Sequence, residues 1–157
     1  MYKRILVPVD GSRASIAGLR EAIRLAKSKR AQMRLIHVVQ VLLPPGIDAG
    51  LHAEKVFESM RGAGRRVLSS AETLVRTQGL KADSVLAEMT GGLLTAAIVA
   101  EASRWRADLI VIGTHGRRGM KRLVMGSNAE EIVRIAPAPV LLVRSRPSGS
   151  LRRRKQR

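Results

Sequence analysis

A chain of 157 residues, 45% of them hydrophobic, is long enough for one globular domain with a sizeable core. It has no cysteine, which excludes disulfides, thiol catalysis and thiolate metal sites, and its apolar runs fall far short of the roughly 20 residues of a membrane helix. A net charge of +17, from 29 basic and 12 acidic residues, attracts phosphates, nucleic acid or anionic lipid, but one Phe, one Trp and one Tyr offer almost no platform for stacking single-stranded bases.

Residues 3–9, KRILVPV, read as a buried strand that ends at Asp10-Gly11-Ser12. A continuous apolar run, without alternation, indicates a parallel sheet covered on both faces. The run is too short for a signal peptide, so the expected location is cytoplasmic. Ser12 or Ser15 is placed to cap the next helix, whose Ile16, Leu19, Ile23 and Ala26 form an inward stripe. Asp10 follows the strand at its carboxyl end, where open α/β sheets bind ligands and an acid commonly holds a ribose hydroxyl or a metal. A turn-forming Asp before Gly is the competing explanation.

MRLIHVV, residues 33–39, makes a second strand, and Gln40 to Gly50, with its Pro44-Pro45-Gly46, a loop. His37 and His52 lack partners at metal spacing and are assigned structural or surface roles. A long helix runs from His52 to Thr77, with Gly62 and Gly64 expected to weaken it by about 1 kcal/mol each. Ser84 to Glu88 is a short third strand, and the helix after Thr90-Gly91-Gly92 turns Leu94, Ala97, Ile98, Ala102 and Trp105 inward. Leu109 to Ile112 and Val140 to Val143 are the fourth and fifth strands. Strands and helices alternate throughout, so the fold class is α/β, a doubly wound parallel sheet with helices on both faces. A reversal of strand order between the first and fourth strands would set Asp10 beside Gly113.

Between the last two strands lies a glycine-punctuated loop carrying Arg117, Arg118, Lys121 and Arg122, with no acid from Asp108 to Glu130. Strand, glycine loop and helix start is the arrangement that cradles phosphates, because glycine lets the backbone approach an anion and the first helical N–H groups point at it. Gly113, Gly116 and Gly126-Ser127 stand as G-x2-G-x9-G-S, which is neither a Walker A loop nor the G-x-G-x-x-G dinucleotide fingerprint. Ser127 and Glu130 also form the S-x-x-E pattern of a helix capping box.

The glycine spacing resembles the ATP-binding signature of the universal stress protein family, and the resemblance extends from about Tyr2 to Arg144. ILVPVDGS is similar to the family's opening, LIHVV to its second strand, ADLIVIGTHG to its fourth, and GSNAEEIVRIAPAPVLLVR to its end. It implies a five-stranded sheet in the order 3-2-1-4-5, ATP as ligand, accompanied by Mg2+, and a homodimer paired through the last strand. Carried over, Pro8, Val9 and Asp10 would contact adenine and ribose, and Val38 would bound the base. Ile112, Gly113 and Gly116 would line the ribose and phosphates, and Gly126, Ser127 and Asn128 would hold the phosphate end; Arg117 joins these candidates from the charge of the loop, not from the resemblance. The basic loading of the loop and the diproline segment depart from the family pattern.

The function expected is that of an ATP-binding stress-response or regulatory protein, with residues 1–145 as the nucleotide-binding domain. No catalytic constellation stands out, although Asp10 and the hydroxyls of Ser12, Thr114 and Ser127 leave room for slow hydrolysis or autophosphorylation. A phosphoreceiver domain is rejected, since it needs an acidic pair after the first strand. Residues 146–157 form a basic tail, expected to be disordered, that supports a rival reading as a nucleic-acid or anionic-surface binder. A nucleotide-independent protein adaptor is the third reading.

Overall fold

A computed structural model describes residues 2–41, 51–114 and 126–145. Nine elements alternate along them: β1 Arg4–Pro8, α1 Arg13–Lys29, β2 Gln32–Val41, α2 Leu51–Thr77, β3 Ala82–Thr90, α3 Leu94–Trp105, β4 Leu109–Gly113, α4 Ser127–Ile135 and β5 Val140–Val143. The five strands form one sheet in the order β3-β2-β1-β4-β5, and every pairing is parallel. Sheet type and order are as the alternating pattern and the family resemblance lead one to expect.

Both faces of the sheet are buried, which is why the strands are apolar at successive positions. Ile5 and Val7 of β1, with Val9 just after it, pack with Leu19, Ile23, Leu68 and Val75 beneath α1 and α2. Leu6, Ile36, Ile110 and Ile112 pack with Ile98, Ala102, Ala129 and Ile132 beneath α3 and α4. Asp108 fastens β4 to the start of β1, accepting from the Lys3 and Arg4 amides at 2.7 and 3.0 Å.

Four local expectations change. Gln40 and Val41, expected in the loop, extend β2 to Val41 beside β3. The third strand is longer than Ser84 to Glu88, because nine residues of β3 pair with β2 in unbroken register; as the outermost strand it tolerates Asp83 and Glu88 facing solvent. Gly64 does not simply weaken α2. A Cβ there would lie 2.6 Å from Leu86 and 2.8 Å from His37, so the glycine lets the helix settle on β2 and β3. The capping box is not formed either, because Gly126 is the residue at the cap of α4 and Ser127 is already the first helical residue, with no side-chain cap bond. At α1 the capping expectation holds: Ser12 caps the helix, accepting from the Ser15 amide at 3.1 Å.

Candidate functional site

The strand order reverses between β1 and β4, and open α/β sheets bind ligands in the crevice outside the carboxyl ends of the strands at that point. The end of β1 is tightly determined. The Val9 amide donates to the Ile36 carbonyl at 2.8 Å, and His37 Nδ1 donates to the Val9 carbonyl at 2.7 Å. Asp10, half-buried, accepts from the Ser12 amide through Oδ1 at 2.8 Å, and the Ser15 hydroxyl donates to the Ser12 carbonyl at 3.0 Å. Both earlier ideas about Asp10 therefore meet at one residue: it makes the turn before Gly11, whose φ is +77°, and it stands at the mouth of the crevice.

The end of β4 is equally constrained. A Cβ on Gly113 would fall 2.1 Å from the Ala14 carbonyl oxygen, and one on Gly18 would fall 3.0 Å from the Gly113 amide nitrogen. Gly113 is thus glycine because α1 crosses β4 at backbone contact. Packing explains it without any phosphate. The next residue, Thr114, is buried; its amide donates to the Val143 carbonyl at 3.0 Å, and its carbonyl accepts from the Gly126 amide at 3.1 Å. The two ends of the glycine loop are thereby tied together, which delivers the chain to the start of α4.

At that start the amides of Ser127, Asn128 and Ala129 have no acceptor within the helix, as at any helix N-terminus. Ser127 and Asn128 are exposed, and the positive end of the helix dipole adds to their attraction for an anion. Strand alternation puts Pro8, Val38 and Ile112 on the α3–α4 side of the sheet, the side that carries α4. Pro8 and Val38, half-buried on adjacent strands, make an apolar ledge there, with the buried Ile112 of the next strand as part of the core beneath it. Val9 does not join it, since its side chain is 3% exposed inside the α1–α2 core and both its backbone groups are bonded. Gly116 and Arg117 lie outside the described residues, as do His115, Arg118, Lys121 and Arg122.

Sequence reasoning missed the part played by His37, whose signal was an imidazole standing inside an apolar strand. A cleft of about 380 Å³ opens on the α1–α2 side of the sheet and reaches the carboxyl end of β1, its walls including Val9 and Gly11 on either side of Asp10. Among the described residues no group of three or more His, Asp or Glu is placed to hold a metal ion, and no helix is long and apolar enough to cross a membrane.

This crevice sits in a chain whose residues 1–144 match the model of the universal stress protein family. The chain belongs to that family. A universal stress protein of Methanocaldococcus jannaschii is 35% identical over 144 residues, an alignment covering 92% of this chain and 83% of the relative. Among solved structures, a universal stress protein family member from Burkholderia pseudomallei superposes with a TM-score of 0.73 at 30% identity, covering 90% of this chain and 96% of its own. The universal stress protein of Archaeoglobus fulgidus in complex with dAMP superposes with a TM-score of 0.63 at 26% identity, covering 90% and 98%. A universal stress protein domain built on this sheet order is therefore what the sequence encodes.

Proposed function

We propose that this universal stress protein binds ATP in the crevice between the ends of β1 and β4 and acts as a nucleotide-dependent regulator of the stress response. The observation that carries the reading is the convergence, at the reversal of strand order, of an apolar ledge, a carboxylate and an exposed helix N-terminus. Pro8 and Val38, with Ile112 beneath them, suit the face of an adenine, Asp10 suits a ribose hydroxyl, and Ser127 and Asn128 suit phosphate oxygens. The dAMP complex of the Archaeoglobus fulgidus relative supports an adenine nucleotide as the class of ligand. Gly116 and Arg117 would complete the phosphate end. Mg2+ would enter on the phosphates and keep most of its water, as that ion usually does in nucleotide sites.

The reading includes a homodimer formed along β5, the outer strand beyond β4, with Val133 and Ile135 of α4 exposed beside it at 46% and 43%. To test the ligand, the purified protein is denatured and the supernatant analysed by chromatography. Release of an adenine nucleotide in near-stoichiometric amount is the expected result. A nucleotide-free preparation that also fails to take up ATP on incubation would contradict it.

A further inference from the structure

The sequence shows basic residues in every helix, yet the fold gathers them on one side. α1 holds five basic residues against one acid and α2 five against three, whereas α3 holds one against one and α4 one against two. The helices on one side of the sheet carry an excess of six positive charges, and those on the other a deficit of one. The acids of α2 do not dilute the side facing α1. Glu54 and Glu58 pair with Arg61, which also holds Glu88 of β3, and Glu72 bonds Ser84 of β3, so all three are engaged on the flank toward that strand.

What remains between α1 and α2 is a basic groove. Ile16 of α1 and Val67 of α2 line the cleft of about 380 Å³, with Arg66 and Ser70 also contributing to its walls. Arg13 and Arg20 stand three and four residues from Ile16, on the same face of α1. At the far end Lys27 Nζ donates to Gln78 at the end of α2, 3.2 Å away. Among the described residues, Arg13, Arg20, Lys27 and Arg66 form no ion pair, and the one acid of α1, Glu21, pairs with Arg24. A helix of α1's length spans about 25 Å, which matches about seven base pairs of duplex.

We infer that the α1–α2 groove is a binding surface for the phosphate backbone of double-stranded nucleic acid. The choice of partner follows from what the groove lacks. Among the described residues the exposed large hydrophobic side chains, Tyr2, Leu93, Val133 and Ile135, all lie on other elements, so the described part of this face offers nothing to insert into a lipid interface. Its residues include no aromatic ring, so it offers no stack for single-stranded bases and reads charge without sequence. The groove lies on the side of the sheet opposite the candidate nucleotide ledge, although Val9 and Gly11, the neighbours of Asp10, form its inner end; the inference does not depend on that reading.

The test is fluorescence anisotropy of a labelled DNA duplex of arbitrary sequence with the full chain, across a salt series. The double variant Arg20→Gln with Arg66→Gln removes two phosphate contacts, so the log–log salt slope should fall in magnitude by about 1.8 and affinity near 0.1 M salt by about 60-fold. Basic residues elsewhere contribute equally to both proteins, so the difference isolates the groove. Arg106→Gln with Arg134→Gln should leave slope and affinity unchanged. All four positions are exposed, and thermal unfolding should not move in either double variant. Equal slopes for the wild type and the groove variant would overturn the proposal. So would wild-type protein that leaves the duplex unbound at low salt, or binding confined to anionic phospholipid vesicles.

Discussion

Gly113 has a reason to be glycine that the sequence alone does not offer. In the sequence it begins a glycine register that resembles a phosphate-binding signature, so close approach of a ligand is the natural explanation. In the fold, its missing side chain is where the first turn of α1 rests, and Gly18 one turn later meets the same backbone. Gly113→Ala should therefore destabilise the protein whether or not nucleotide is present. The clash is with a carbonyl that cannot step aside, so the expected loss is about 3 kcal/mol, or about 10 °C in Tm. Thermal unfolding without ligand measures it, and a Tm equal to wild type would show that α1 does not cross β4 at backbone contact. The turn made by Asp10 was legible because Asp-Gly after a strand signals it, and its place at the strand end is the reason it is proposed as a ligand contact. The hold of His37 on the Val9 carbonyl was not legible, since only the register of β1 against β2 brings the two together.

At the scale of elements, periodicity located the strands and helices well, and the errors fell where tertiary contact overrides local preference. Glu101, which the sequence did not single out, shows such an override. It is 5% exposed on a helix face that should be apolar, and it is buried because Arg34 of β2 reaches it at 2.9 Å. Arg34 also pairs with Asp83 at 3.1 Å and lies 4.7 Å from the centre of the Trp105 ring. Burial opposes its charge, yet the bonds to Glu101 and Asp83 outweigh that and hold the guanidinium above its ordinary value. An arginine inside the strand MRLIHVV was the available clue. A second charged cluster joins α2 to β3, where Arg61 holds Glu88 below the usual carboxylate range. A carboxylate depressed in the folded state contributes stability above its unfolded pKa of about 4.3 and loses it as pH falls through the folded value. Comparing Tm of wild type and Glu88→Gln as a function of pH should show wild type modestly more stable at neutral pH and the two converging below about pH 4. A gap that persists in acid would remove the ion pair as its cause.

For the whole molecule, a parallel order of β3-β2-β1-β4-β5 leaves β5 as an outer strand with a row of amides facing away from β4. The Ile110 amide donates to Pro139 and the Thr114 amide to Val143, so in a parallel ladder the Val140 and Leu142 amides face outward. Leu142→Pro should keep the bonds to β4 yet convert a β5-paired dimer to monomer, as read by light scattering on a sizing column. A wild-type monomer at micromolar concentration would exclude that pairing. The domain's central claim is the nucleotide crevice, and calorimetric titration of ATP with Mg2+ into the full chain tests it most directly. Saturable binding at one site per chain is expected. Asp10→Ala should weaken it by about 1.5–3 kcal/mol, while Asp10→Asn, which still accepts from Ser12, should keep the fold and lose less. Absence of binding at millimolar ATP, with the protein folded, would contradict the account.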